Sequence, residues 1–264
     1  MEFMERNAPA AQTFDGLIEA ESQNLQTSMT ALGSTAELIG DFQGLYQSLA
    51  GFVRLSGDGI TPERAKAAGC ALLLLMKCRS DLLLGSLNLL RGYQGNSLRF
   101  LRGAIEACAF AARIKRHPHL ADVWLHAVDG DAEYKTFRDK FTNLFPDDDV
   151  LLHGLHELFD QCSQVIHNSV CSMAGHFSFR EVRTQQAVKF NVFDLPEGPV
   201  VAAALCFTLG AHKRILTKFT QVLADNMKAD APTWQERLNS VGTNLDYHRE
   251  KWKAAFPDPR KATP

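Results

Sequence analysis

Between Cys70 and Leu90 the chain is apolar on more than one helical face, broken mainly by Lys77, Arg79 and Asp81. A helix of this kind cannot lie on a surface, so the fold must surround it with other helices. Its start is written in Thr61-Pro62-Glu63, which supplies an N-cap, a proline at the first helical position and an acid in the first turn. Gly92-Tyr93-Gln94-Gly95 stops it near Arg91. Its uninterrupted apolar runs reach only about seven residues, against the roughly 20 that a membrane span requires.

Helical periodicity also governs the rest of the first two-thirds. Phe14 to Leu32 and Ser34 to Leu55 read as long helices parted by Gly33, and Asn96 opens another that lasts to about His117. Shorter helices are expected over Pro118 to Val128 and Gly130 to Phe145, then a longer one from Asp149 to about Ser172. The period then changes: Phe177 to Val182 and Val188 to Phe193 alternate apolar with polar residues, as the arms of a β-hairpin do. Helices over Val200 to Met227 and from Pro232 to just before Pro257 close the pattern. The expected fold is mainly α, an up-and-down helical bundle with a small inserted β-hairpin at about residues 176–193. It forms one domain over 14–256, between a flexible 1–13 and a frayed 257–264.

Composition narrows the function. Lys and Arg total 28 against 30 Asp and Glu, a formal charge of −2, so no global basic excess favours long duplex DNA or an anionic membrane. The cysteines at 70, 78, 108, 162, 171 and 206 never approach a Cys-x-x-Cys spacing and sit mostly among aliphatic residues, as reduced core thiols do. A cytoplasmic location is expected. Walker A, G-x-G-x-x-G and G-x-S-x-G motifs are absent, which removes the usual footholds for a nucleotide loop or a hydrolase nucleophile.

Two polar stripes carry the candidate chemistry. Arg99, Arg102, Glu106 and Arg113 fall within roughly 60° on one helix, and the i,i+4 spacing of Arg102 and Glu106 makes an ion pair available. Phe110 in the same stripe implies that this face is partly covered. On the helix from Asp149, the residues His153, His156, Asp160, Ser163, His167 and Cys171 project within about 80°. Three readings suit that stripe: hydrogen bonds satisfied across the bundle or by water, metal ligation by His153, His156 and Asp160, or acid/base and nucleotide-contacting work by His167 beside Arg102 and Glu106. The basic run Arg113 to His119 complements the negative end of its helix, or contacts a phosphate.

Leu98-Arg99-Phe100-Leu101-Arg102-Gly103-Ala104-Ile105-Glu106, with Ser163-Gln164-Val165-Ile166-His167 on a later helix, resembles the HEPN-like bundles, the higher eukaryote and prokaryote nucleotide-binding group. The resemblance spans about residues 65–225. It implies Arg102, Glu106 and His167 facing one another in the interior, homodimerisation, and a link to RNA, defence or toxin systems. The nuclease branch carries Arg, about four to six residues, then His; here only Arg113 and His119 match, with the helix breaker Pro118 between them, so cleavage is not carried over.

The expected function is therefore binding of a nucleotide or RNA end by Arg99, Arg102, Arg113 and Ser163, with Glu106 and His167 as the groups able to move a proton and no cofactor. The alternatives are a dimeric interaction or scaffold protein that uses the hairpin edge, and a metal-dependent hydrolase built on the histidine stripe.

Overall fold

Local signals start and stop the helices in the computed structural model, which describes residues 13–166, 177–182, 185–190, 198–228 and 232–255. Helix α1 (Phe14–Leu32) begins at Thr13, whose hydroxyl accepts from the Gly16 N–H, and Gly33 parts it from α2 (Ser34–Phe52). The long apolar helix is α3 (Pro62–Arg91). Thr61 caps its start by accepting from the Arg64 N–H, and Gly92 ends it at φ 95°, a left-handed conformation that favours glycine. Next come α4 (Gln94–Arg116), α5 (Leu120–Leu125), α6 (Asp131–Lys140) and α7 (Val150–Ile166). Strands β1 (Phe177–Val182) and β2 (Gln185–Phe190) pair antiparallel, with Phe177 opposite Phe190 and Val182 opposite Gln185. Helices α8 (Gly198–Leu223) and α9 (Pro232–Ala255) complete the described chain.

The fold is mainly α, a helical bundle with α3 at its centre in contact with α1, α2, α4 and α8. Helices α3 and α4 run antiparallel: the Cys78 thiol meets the Ala104 carbonyl, and a Cβ at Gly85 would lie 3.2 Å from the Cβ of Phe100. One apolar core joins Phe42, Leu74, Leu75, Leu82, Leu101, Ile105, Leu205, Ile215 and Phe219, all essentially inaccessible. Trp234 pins α9 to α2, its indole N–H donating to the Leu45 carbonyl at 3.1 Å.

Several boundaries differ from the sequence expectation: α2 stops at Phe52 rather than Leu55, α5 covers only Leu120–Leu125, and β2 spans Gln185–Phe190 rather than Val188 to Phe193. Helix α6 stops at Lys140 rather than Phe145, because Phe141 turns inward against Phe110 and Asn143 takes φ 50°. Helix α8 stops at Leu223 and tightens into a 3-10 turn over Ala224–Asn226. The following backbone returns to α2: the Arg54 N–H donates to Asn226, and the Lys228 N–H to Phe52. Among the described residues the stretch Val200–Asn226 is long and apolar enough to cross a membrane. In this fold its residues Ala202, Leu205, Leu209, Leu216 and Phe219 are buried in the bundle core.

Candidate functional site

Helix α4 packs along α7, and this seam decides the fate of the first stripe. Arg102 is half-buried, with its guanidinium carbon 4.6 Å from the centre of the Phe159 ring and its Nε buried without a hydrogen-bond partner. Glu106 is also half-buried, yet no ion pair links it to Arg102, because the guanidinium is drawn across the seam to the aromatic face of α7. Arg99 is exposed. Arg113 bonds the Lys140 carbonyl at 3.3 Å and keeps a buried, unpartnered Nε. Phe110 is covered edge-on by Phe137 and Phe141, which accounts for an aromatic in a charged stripe.

The second stripe divides. The Ser163 hydroxyl donates to the Phe159 carbonyl of its own helix at 2.8 Å, an internal bond that leaves Arg102 to the ring beside it. His153 lies 3.9 Å from Glu157 and His156 lies 3.6 Å from Asp160, all with side chains at least 45% exposed. His156 also stacks on Phe145 at 4.7 Å. Among the described residues no three His, Cys, Asp or Glu side chains come together as a metal site would require. His167 and Cys171 lie outside the described residues. The seam therefore joins Arg102 to Phe159 and Cys162, and burial pushes the Cys162 thiol up to about 11 despite the nearby Arg102 charge.

The basic run ending α4 is spent internally. Lys115 pairs with Asp225, and Arg116 donates to Asp149 at 2.8 Å. Asp149 also accepts from the buried Lys218 at 2.5 Å and caps α7 by taking the Leu152 N–H at 3.1 Å. Burial alone would raise the Asp149 carboxyl, but the Lys218 hydrogen bond, the Leu152 N–H and the neighbouring cations outweigh it and hold the group below its ordinary range.

A different feature lies where α7 faces α8 and α9. A groove of about 900 Å³ runs between α7, α8 and α9, with Leu151, Leu158, Val200, Phe207 and Trp252 among its apolar walls. Lys213, Arg214, Arg249 and Lys253 also line it, against one carboxylate, Asp246. Asp246 lies 2.9 Å from Arg249 and 3.6 Å from Lys213. Arg214 donates to the Gly154 carbonyl at 3.3 Å, and Lys253 pairs with Glu250 at 2.6 Å.

The chain matches no protein-family model, no curated protein and no solved structure. Its own side chains carry the functional argument. The groove has a sequence signal that the histidine stripe overshadows: Cys206, Gly210, Lys213 and Thr217 on α8 share the 4-3-4 spacing of Gly242, Asp246, Arg249 and Lys253 on α9. That spacing keeps four residues on one face of a helix.

Buried polar pairs brace the groove from behind. Trp252 donates to the Thr35 hydroxyl at 3.0 Å, and that oxygen lies 2.9 Å from Nδ1 of the buried His248. Deeper in the bundle the Tyr46 hydroxyl is 2.7 Å from Nδ1 of His212, whose Nε2 is buried without a partner. Burial lowers the His212 pKa to about 3, so this imidazole is neutral near pH 7.

Proposed function

We propose that the bundle binds an organic anion in the groove between α7, α8 and α9. The observation that supports this most directly is the excess of four cationic side chains over one carboxylate around apolar walls. Such a concavity, apolar with a few polar groups that fix orientation, is the ordinary form of a small-molecule site, and about 900 Å³ falls in the size range of such sites. The thiol lining it, Cys206, is raised by burial against the Arg249 charge, which favours binding over nucleophilic chemistry.

Within this reading the protein is a cytoplasmic, HEPN-like bundle, and a nucleotide or RNA end is the anion class suggested by the resemblance. The groove replaces the Arg102, Glu106, Ser163 and His167 constellation as the preferred site. Calorimetric titration at low salt with AMP, ATP, a short RNA and simple organic anions tests it. Binding that weakens with added salt and falls at least fivefold in a Lys213→Ala/Arg249→Ala variant supports the groove, since each charge-assisted hydrogen bond contributes about 1.5–3 kcal/mol. Binding that survives the double change but is lost in Arg102→Ala would return the site to the seam.

A second reading, a dimeric interaction protein with an inserted β-hairpin at 176–193, draws support from the antiparallel pairing of β1 with β2, since a strand pair has edges that a partner strand can join. Deleting residues 177–193 and measuring solution mass tests it. Loss of a dimer with anion binding intact favours the scaffold.

A further inference from the structure

Resting on the reading of the groove as an anion site, we infer that Asp246 is an internal placeholder and that the ligand is an amphipathic anion. Its carboxylate or phosphate head displaces Asp246 from Lys213 and Arg249, and its apolar body lies along Val200 to Phe207.

The clamp is built reciprocally. Lys213 projects from α8 and lies across Gly242 of α9, where a Cβ would be 2.5 Å from its Cε and Nζ. Arg249 projects from α9 and lies across Gly210 of α8, where a Cβ would be 2.8 Å from its Nη2. Each helix thus offers a cation to the other helix's glycine, and the two charges converge on one exposed carboxylate. Arg214 and Lys253 have their own partners, the Gly154 carbonyl and Glu250, which leaves Lys213 and Arg249 as the groove charges whose partner among the described residues is Asp246.

That hold is weak. The Asp246 side chain is 53% exposed, and its bond to Arg249 is an i,i+3 pair on a helix surface. Such exposed pairs shift an equilibrium by no more than about fivefold, so a ligand head loses little by replacing one. Polarity along α8 then sets the orientation of the rest. Val200, Ala203 and Phe207 precede Gly210, Lys213 and Arg214 on the groove side, and at about 1.5 Å per residue Val200 stands roughly 20 Å from Lys213. Leu158 and Trp252 add to the apolar wall.

The experiment follows tryptophan fluorescence, with Trp252 in the groove, while decanoate, decyl phosphate, decanol, inorganic phosphate and AMP are titrated into the full chain. A Trp252→Phe variant assigns the signal. Decanoate or decyl phosphate should bind, while decanol and inorganic phosphate bind at least tenfold more weakly. Asp246→Asn should tighten decanoate by about two- to fivefold, because it removes the competing carboxylate. Arg249→Ala should weaken it by about tenfold. If that variant melts early, Lys213→Met serves in its place.

Unchanged or weaker decanoate binding by Asp246→Asn overturns the placeholder, and decanol binding as tightly as decanoate overturns the headgroup clamp. AMP binding without decanoate binding leaves the anion groove standing and removes the amphipathic ligand. No binding of any anion by either protein removes both readings.

Discussion

Lys213 and Gly242, on different helices, fit together so closely that no side chain beyond hydrogen can occupy position 242 without moving the lysine. The displaced part would be the flexible end of Lys213, not backbone, so relief is cheap. Glycine inside a helix otherwise costs up to about 1 kcal/mol relative to alanine. Gly242→Ala should therefore leave stability equal or raise it by up to about 1 kcal/mol in urea denaturation. The same variant should weaken anion binding at least threefold. Equal affinity with raised stability would mean that the lysine's position has no bearing on the ligand.

Asp149 should be the most costly single carboxylate to remove. It caps α7 and faces Lys218, which is only 9% exposed, as well as Arg116. Asp149→Ala leaves a nearly buried ammonium with Gln221 as its remaining side-chain partner among the described residues and is expected to cost about 3 kcal/mol. Asp149→Asn should cost less, because the amide oxygen can still cap. The folded carboxyl sits below its unfolded value, so its contribution is complete above the unfolded pKa of about 4 and fades as pH falls through the folded one. Stability measured from pH 6 to pH 2 should show an acid-side loss that is reduced in Asp149→Asn.

His212 acts over a higher pH window. Its folded pKa of about 3 lies below the ordinary 6.5, so the unfolded chain binds a proton that the folded chain excludes. Stability from this group is complete above pH 6.5 and falls by up to about 1.4 kcal/mol per pH unit on going down toward pH 3. His212→Gln should flatten the slope of stability against pH between 6 and 4. Tyr46→Phe removes the hydroxyl from Nδ1 and should cost about 1–3 kcal/mol, with the slope retained.

Arg102 separates the seam from the groove. Arg102→Ala loses the contact with the Phe159 face and should cost about 1–2 kcal/mol while leaving decanoate binding unchanged. Parallel titrations of AMP and a short RNA into Arg102→Ala and His167→Ala test the nucleotide reading of the seam, which predicts a loss of affinity in both.

Much of the fold was legible because the signals are local. Thr61-Pro62 starts α3 and Gly92 ends it through contacts made within one turn, and the many-sided apolar surface of Cys70 to Leu90 already required a central helix. The α4 stripe was legible as a set of directions, and Phe110 rightly marked a covered face. The partners were not. An i,i+4 spacing makes an Arg102–Glu106 pair available, but a long guanidinium takes the best surface within reach, and packing placed Phe159 there. The basic run Arg113 to Arg116 likewise found Asp225, Asp149 and the Lys140 carbonyl across helix contacts that spacing does not encode.

By itself the sequence determined the helical elements, their caps and the faces on which charge gathers, since each depends on groups within a turn or two. Tertiary structure decided which faces meet. Lys213 and Gly242 are separated by a whole interhelical connection, and only the packing of α8 against α9 makes a missing Cβ into a bed for an ammonium. The groove follows from that fit, because a cation poised over an apolar wall requires two helices close enough for one backbone to receive the other's side chain.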